Sequence, residues 1–217
     1  MGKIIHNISK IISEEGIIVF FSKTLRYIRK NIVGVTKVFI YEFDLNNITF
    51  KINSGLDIFI RLATEKDIDL MDYENYNYDE NVKKYAKERL EKGDTCILAL
   101  YNGKLIGYVW IMYDLLEISK FNLISLSKNR GSFYNIFILK ELRGKRIANS
   151  LDYYINDMLR KSGKRYIVIL VDKDNIASIK NRERAGYKKI GYINQFRFFG
   201  LKYDYLDKKL LLYLQKQ

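Results

Sequence analysis

The dipeptide Asn102-Gly103 lies between two apolar, partly β-branched runs, residues 95–101 and 105–113. Asn-Gly readily takes the left-handed backbone required at both central positions of a two-residue hairpin turn, so the flanking runs are predicted to be adjacent antiparallel strands. That hairpin commits the chain to a sheet, and its surroundings indicate which kind. Upstream, residues 58–62 form a strand pattern leading into Thr64-Glu65-Lys66-Asp67, a capping hydroxyl and acidic residue that signal a helix start. A polar helical stretch through Tyr85-Ala86-Lys87-Glu88 follows. Downstream, the patterns predict a strand at 132–139, a long helix at 144–162, a buried strand at 166–171 and a helix over 177–184 ending at Gly186. Residues 188–199 and a Tyr- and Leu-rich tail close the chain. Gly107 suggests a bulge, and residues 115–130, rich in Leu, Ser, Asn and Lys, are expected to form a loop or short helix. Antiparallel strands first and strand–helix crossovers later predict a mixed α/β (α+β) fold, a central mixed sheet flanked by helices.

Residues 1–56 stand apart as an N-terminal extension preceding a domain over 57–217. Ile4, Ile8, Ile11 and Ile12 recur at helical spacing, and Ile17, Phe21, Leu25, Ile28 and Ile32 do so again after a break near Gly16. Residues 35–45 and 48–52 then suggest a hairpin around Asn46-Asn47. On a helical wheel of residues 17–32, Lys23, Arg26, Arg29 and Lys30 oppose the apolar stripe, with no acidic residue among them. The simplest reading packs that stripe on the domain; the same pattern suits a helix lying on an anionic membrane surface, and a partner protein or homodimer has the same face available.

Composition excludes several chemistries. The 217 residues are 48% hydrophobic and 29% charged, the balance of a soluble globular protein. Cys96 is the only cysteine and sits in an apolar run, so there is no disulfide framework or thiolate metal site. His6 is the only histidine and lies far from other chemical groups, which argues against a Ser-His-Asp engine and a histidine metal site; no metal is expected. The net charge of +13 attracts anions, among them nucleotides, phospholipid headgroups, nucleic acid and acidic carrier proteins. No nucleic-acid-binding motif accompanies it, so a nucleic-acid partner is not expected. No apolar run approaches the ~20 residues that span a bilayer, and Met1-Gly2-Lys3-Ile4 opens no signal-peptide core, so the expected location is the cytoplasm, with membrane association only through residues 17–32.

The chemical signal begins at Ile136-Phe137-Ile138, followed by Arg143-Gly144-Lys145-Arg146-Ile147-Ala148 and a helix. A glycine-containing turn at a helix start leaves backbone N–H groups aimed outward at the positive end of the helix dipole, which makes an anion cradle. Alone, this is equally a basic, solvated helix start. A second signal breaks the tie: a buried strand ends in Asp172-Lys173-Asp174-Asn175, followed by Ser178 and then Ala185-Gly186-Tyr187. Together these resemble the two signatures of the GNAT acyltransferases, a strand with the loop Arg/Gln-x-x-Gly-x-Gly/Ala, then strand-Asn-x-x-Ala/Ser-helix ending in Gly-Phe/Tyr. The resemblance covers residues 58–200.

The resemblance implies a GNAT-like fold and an acyl-CoA-dependent N-acyltransferase. The donor implied is acetyl-CoA, with direct attack by an amine on a small molecule or peptide. Transfer of a longer acyl chain from an acyl carrier protein, or a non-catalytic CoA-binding module, stand as alternatives. By position, it implies that N–H groups from Gly144, Lys145, Arg146, Ile147, Ala148 and Asn149 hold the CoA pyrophosphate, with Arg143 adding positive potential. It further implies that the Ile138 and Leu139 backbone lies along the pantetheine, where an N–H can polarise the thioester carbonyl, and that Asn175 holds the pantetheine arm, with Ser178 at the motif's small position. Asn175 is equally a plain helix N-cap. Two positions depart from the family pattern: Arg146 replaces a usual glycine, and Arg182 stands where a tyrosine often protonates the departing thiolate. Tyr134 is the substitute phenol, though packing explains it as well. Asn135, Asp114 and Glu117 are candidates to position or deprotonate the acceptor, each equally explained as structural or solvated.

Overall fold

The computed structural model describes residues 33–47, 55–70, 82–119, 122–199 and 201–216. The two amphipathic segments before residue 33 and the hairpin arm at 48–52 lie outside them. The elements are β1 (Val33–Asp44), β2 (Phe59–Leu62), α1 (Val82–Glu91), β3 (Thr95–Tyr101), β4 (Lys104–Met112), β5 (Leu115–Ser119), β6 (Asn122–Ser125), β7 (Arg130–Ile138), α2 (Ile147–Lys161), β8 (Tyr166–Asp172), α3 (Ile176–Arg184), β9 (Lys188–Phe198), β10 (Leu201–Leu206) and α4 (Lys208–Gln215). Short 3-10 turns occupy Glu65–Leu70 and Lys140–Leu142.

Eight strands form one mixed sheet in the order β10-β9-β1-β8-β7-β4-β3-β2, with β5 and β6 as a separate two-stranded sheet. The hairpin turn takes left-handed values at both Asn102 (φ 50°) and Gly103 (φ 75°), the conformation for which Asn-Gly is suited. Asp67 accepts from the Thr64 backbone N–H at 2.7 Å and from its hydroxyl at 2.8 Å, fixing the turn after β2. Beside Gly107 the β3–β4 register shifts, consistent with a bulge.

Alternation assigns the two sheet faces. Ile97, Ala99, Val109, Phe133, Ile167, Ile169, Tyr41 and Phe43 point to one side, where Ile147, Leu151, Ile155 and Leu159 of α2 close the main core. Cys96, Leu98, Tyr108 and Trp110 point to the other, under Ala86 of α1. Farther along that second face, Ile40, Val168 and Ile193 are covered by Leu116, Ile118, Ile124 and Leu126 and by Leu214 of α4.

One expectation is corrected. Residues 115–130 contain the β5–β6 hairpin: Leu116, Ile118, Ile124 and Leu126 keep a period of two and bury against the second face, a pattern hidden by the polar residues between them. The strand placed at 35–45 is present, and its expected hairpin partner at 48–52 lies outside the described residues. The strand is β1, antiparallel to β8 over Val38–Asp44 and to β9 over Val33–Glu42, so the main sheet draws strands from both sides of the boundary drawn at residue 57.

Candidate active site

The strand β7 pairs with β8 in parallel only over Arg130, Gly131 and Ser132, opposite Tyr166, Ile167 and Val168. Beyond Ser132 that edge of β7 has no strand partner among the described residues. On its other side, Trp110 pairs with Tyr134 and Tyr108 with Phe137, so Asn135 and Ile136 both stand opposite Val109 as a bulge. Asn135 takes a left-handed φ of 48° and is exposed, a conformation Asn tolerates better than most residues. The bulge turns the strand, carrying Tyr134 and Phe137 to the α1 face and Phe133 and Ile138 to the α2 face.

Past β7 the chain makes the 3-10 turn and enters α2. The Arg143 Nε donates to the Ile138 carbonyl at 3.2 Å, tying the loop back to the strand end. Gly144 has φ 82°, and an added Cβ there would meet nothing within 4 Å. Arg146 caps the helix without any side-chain cap bond and takes φ 60°, ψ 18°. This explains why a glycine suits that position: an L-residue pays roughly 1–2 kcal/mol to be left-handed. The Ser150 N–H reaches back to the Arg146 carbonyl, so the N–H groups of Ile147, Ala148 and Asn149 precede any helical acceptor.

The loop opens onto a cleft of about 950 Å³ between α2 and α3. Ile138, Arg143, Gly144, Arg146, Ile147, Ala148 and Asn149 line one end. The cleft continues along one helical face of α2 through Asp152, Tyr153 and Asn156, with Lys180, Asn181 and Arg184 of α3 opposite. Arg143, Arg146, Lys180 and Arg184 make its walls cationic, which suits an anionic ligand.

Two motif backbone groups, at Leu139 and Lys145, are turned away from the cleft, and Asn175 with Ser178 takes the cap that was the other reading of that position. The Leu139 N–H donates to the Ile106 carbonyl at 2.9 Å, and its side chain packs on the main core, so it cannot polarise a ligand carbonyl. The Lys145 N–H turns to the Leu142 carbonyl at 3.4 Å, and Lys145 is not part of the cleft wall. Asn175 caps α3, its Oδ1 accepting from the Ser178 N–H at 3.1 Å, and neither residue lines the cleft. The helix expected from residue 144 begins at Ile147.

Arg182, in the place of the family's tyrosine, is 3% exposed. Its Nη1 donates to Asp152 Oδ2 at 2.5 Å, and its guanidinium lies 5.0 Å from the Phe133 ring centroid and 5.4 Å from that of Tyr187. The pair ties α3 to α2 behind the cleft wall. Burial pushes the Asp152 carboxyl above its ordinary value, against the pull of Arg182, and its Oδ1 has no hydrogen-bond partner among the described residues. Sequence reasoning missed Asp152 and Asn156. Their signal was available: polar residues four and eight positions after Ala148, on the face of α2 that otherwise turns inward.

On the opposite face, the Tyr134 hydroxyl donates to Asp94 Oδ2 at 2.5 Å, and the Arg89 guanidinium lies 4.6 Å from the Tyr134 ring. Burial pushes the phenol far above its usual range, and hydrogen bonding to Asp94 adds to this. Burial also raises Asp94, opposed by the bond from Tyr134. Glu117 lies 3.6 Å from Arg89. Asp114 is taken up by Lys164 at 2.5 Å, an ion pair that anchors the start of β5 rather than an acceptor site.

Known proteins agree with this architecture. A functionally unknown conserved protein from Staphylococcus epidermidis superposes with a TM-score of 0.55 at 16% identity, over 79% of this chain and 65% of that one. A GNAT-family acetyltransferase from Colwellia psychrerythraea superposes at 0.58 and 15% identity, over 78% and 59%. The enzyme AAC(6')-Iy, solved with the bisubstrate analogue CoA-S-monomethyl-acetylneamine, superposes at 0.51 and 14% identity, over 61% and 91%. The chain thus spans less than two thirds of the length of the first two. No curated protein matches it by sequence. The acetyltransferase (GNAT) family profile matches residues 60–187, more than half of the chain and the whole span from β2 to the end of the cleft, and the protein belongs to that family of acetyltransferases.

Proposed function

We propose that this chain transfers an acyl group, acetyl in the first instance, from acyl-CoA to an amine on a small molecule or peptide. The observation that carries this is the parting of β7 from β8 after Ser132, directly before a helix start whose first-turn N–H groups face a cationic cleft. The residues present fit a phosphorylated donor. Gly144 leaves its side of the loop open, and Arg143, Arg146, Lys180 and Arg184 supply positive charge without a bulky group at Ala148. When bound, acyl-CoA supplies an acyl group already activated as a thioester.

The chain's own groups do the rest. The N–H groups of Ile147, Ala148 and Asn149 and the cations of the rim hold the pyrophosphate. Because the Leu139 N–H is committed to Ile106, the donor that polarises the thioester carbonyl comes from the unpaired edge of β7 around the Asn135–Ile136 bulge. Arg182 does not release a proton at accessible pH. Tyr134, protonated and held by Asp94, is the phenol that returns a proton to the leaving thiolate, and Asp94 is the carboxylate that draws the proton from the attacking amine.

Calorimetry with CoA, followed by thiol release from acetyl-CoA across amino sugars, amino acids, polyamines and peptides, tests this reading. Micromolar CoA binding and turnover with one amine class are expected. Binding with no turnover on any amine, or with turnover only from acyl carrier protein, would replace it with one of the alternative readings.

A further inference from the structure

The last two strands, β9 and β10, have one covered face and one bare face. On the covered side, Gln195 Nε2 donates to the Ile118 carbonyl and to Asp204, and Ser119 and Asn122 donate to Asp204, sealing these strands under the small β5–β6 sheet. The bare side is fixed by register. Tyr192, Asn194 and Phe196 lie opposite Phe39, Lys37 and Val35 of β1, while Tyr203 and Leu201 lie opposite Phe196 and Phe198. Directly opposed residues share a face, and Phe39 belongs to the side that α2 closes farther along the sheet.

No described helix reaches this end of that side. At the β9–β10 turn, Phe198, Phe199 and Leu201 are 59%, 70% and 74% exposed. Tyr203 and Tyr205 follow, both exposed, and Phe196 lies 6.3 Å from the Tyr203 ring. A contiguous apolar patch of this kind marks an interaction surface. Deeper on the same face the patch becomes cationic. A concavity of about 600 Å³ is bounded by Lys37, Lys173 and Lys189, with the Lys37 ammonium 4.2 Å from the Tyr192 ring, that of Lys189 4.2 Å from the Phe39 ring, and Lys173 in an exposed ion pair with Asp174 at 2.8 Å.

We propose that this face docks on an anionic lipid surface. The Phe198–Phe199–Leu201 turn enters the acyl boundary, Tyr203 and Tyr205 sit at headgroup level, and Lys37, Lys173 and Lys189 meet the lipid phosphates. Each part follows from where the groups lie. A projecting apolar turn inserts without needing a matching pocket, tyrosine favours the boundary between apolar and wet regions, and lysines placed behind it are attracted to a negative leaflet. Charge decides the occupant. A second copy would bring the same three lysines against themselves, and residues 17–32 bring four more cations with no acidic residue. An anionic surface that also accepts apolar groups is complementary to both halves of the patch.

The full chain would be sedimented with phosphatidylcholine vesicles, with and without one-third phosphatidylglycerol, alongside the double variant Phe199→Asp/Leu201→Asp and the variant Lys189→Glu. All three substituted side chains are exposed, and each variant is first matched to the parent by thermal melt and by CoA affinity. The parent is expected to co-sediment with the anionic vesicles and to be released by salt. The double variant should lose at least tenfold in partitioning. Lys189→Glu should lose at least fivefold, the equivalent of ~1 kcal/mol for one surface lysine. The proposal is overturned if the parent stays in solution with anionic vesicles or if the double variant partitions as the parent does. A parent dimer that Phe199→Asp turns into a monomer in light scattering would overturn it in favour of a self-interface. Loss of partitioning on charging Phe21 and Leu25, with the double variant unaffected, would overturn it in favour of residues 17–32.

Discussion

Removing Arg182 should unmask Asp152, and the cost should depend on pH. In the native protein the two are a buried ion pair, 4% and 10% exposed at the side chain, and the Arg182 guanidinium also packs against Phe133 and Tyr187. Replacing Arg182 with Met keeps most of the stem and removes the charge, leaving a buried carboxylate with no counter-ion. Breaking such a pair from one side typically costs ~3–5 kcal/mol, whereas replacing both partners with apolar groups is often neutral or stabilising. Asp152 already has its pKa raised by burial, and loss of Arg182 raises it further. A carboxyl whose folded pKa lies above its unfolded value contributes stability at pH below the unfolded pKa and loses it as pH rises through the folded one. The deficit of Arg182→Met relative to the parent should therefore be smallest near pH 5 and grow toward pH 8, with a slope of up to about 1.4 kcal/mol per pH unit. Urea unfolding across that range, with Arg182→Met/Asp152→Leu beside the single variant, measures it. The double variant should recover stability and lose the excess slope. A single variant within about 1 kcal/mol of the parent and parallel to it in pH would refute the assignment of this pair as a strut.

Arg146→Gly should relieve the left-handed strain at the helix cap while gaining freedom in the unfolded chain, for a net stability change within about 1 kcal/mol, and should weaken CoA binding a few-fold by calorimetry because one cation of the cleft rim is lost. Ala148→Glu sets a negative charge at the same helix start and should weaken CoA binding several-fold, an interaction of ~0.3–1 kcal/mol even when exposed; unchanged affinity in a folded protein would remove the pyrophosphate site. Tyr134→Phe should lower kcat by roughly 10²-fold with KM for acetyl-CoA unchanged, as expected of a general acid, and a fall of less than threefold would make Tyr134 a packing residue. Gly107→Ala should destabilise by about 1–3 kcal/mol, because its Cβ would lie 2.8 Å from the Phe137 backbone carbonyl, which cannot move without disturbing the β7 bulge; a melt unchanged from the parent would contradict that geometry.

Short-range chemistry was legible in the sequence because it is written in neighbouring residues. Asn102-Gly103 specified a hairpin, Thr64 and Asp67 specified a helix start that is realised as the 3-10 turn Glu65–Leu70, and Asn175 with Ser178 specified a cap, each a contact within three positions. The glycine loop after β7, left-handed at Gly144 and open to the cleft, was legible for the same reason. What depended on distant pairing was not. The commitment of the Leu139 N–H to Ile106 arises from the β4–β7 register, 33 positions away in the chain, and no local pattern announces it. Asp94 could be recognised as the partner of Tyr134 only once the sheet had brought α1's end beside β7. The β5–β6 hairpin carried a legible period of two, but Ser, Asn and Lys between its apolar residues gave it the composition of a loop.

The central position of β1 also sets the order in which this fold can be completed. The strand is made well before its partners, residues 166–172 and 188–198, which follow it by more than a hundred positions. Until then both of its hydrogen-bonding edges lack those partners, and the β8 side of the cleft lacks the neighbour that braces it. Such high contact order predicts slow closure of the sheet and a nascent chain exposed to strand-mediated aggregation. Deletion from the N-terminus should therefore behave in two regimes, with truncations that spare Val33–Asp44 compatible with a closed sheet and any cut into that strand separating β8 from β9.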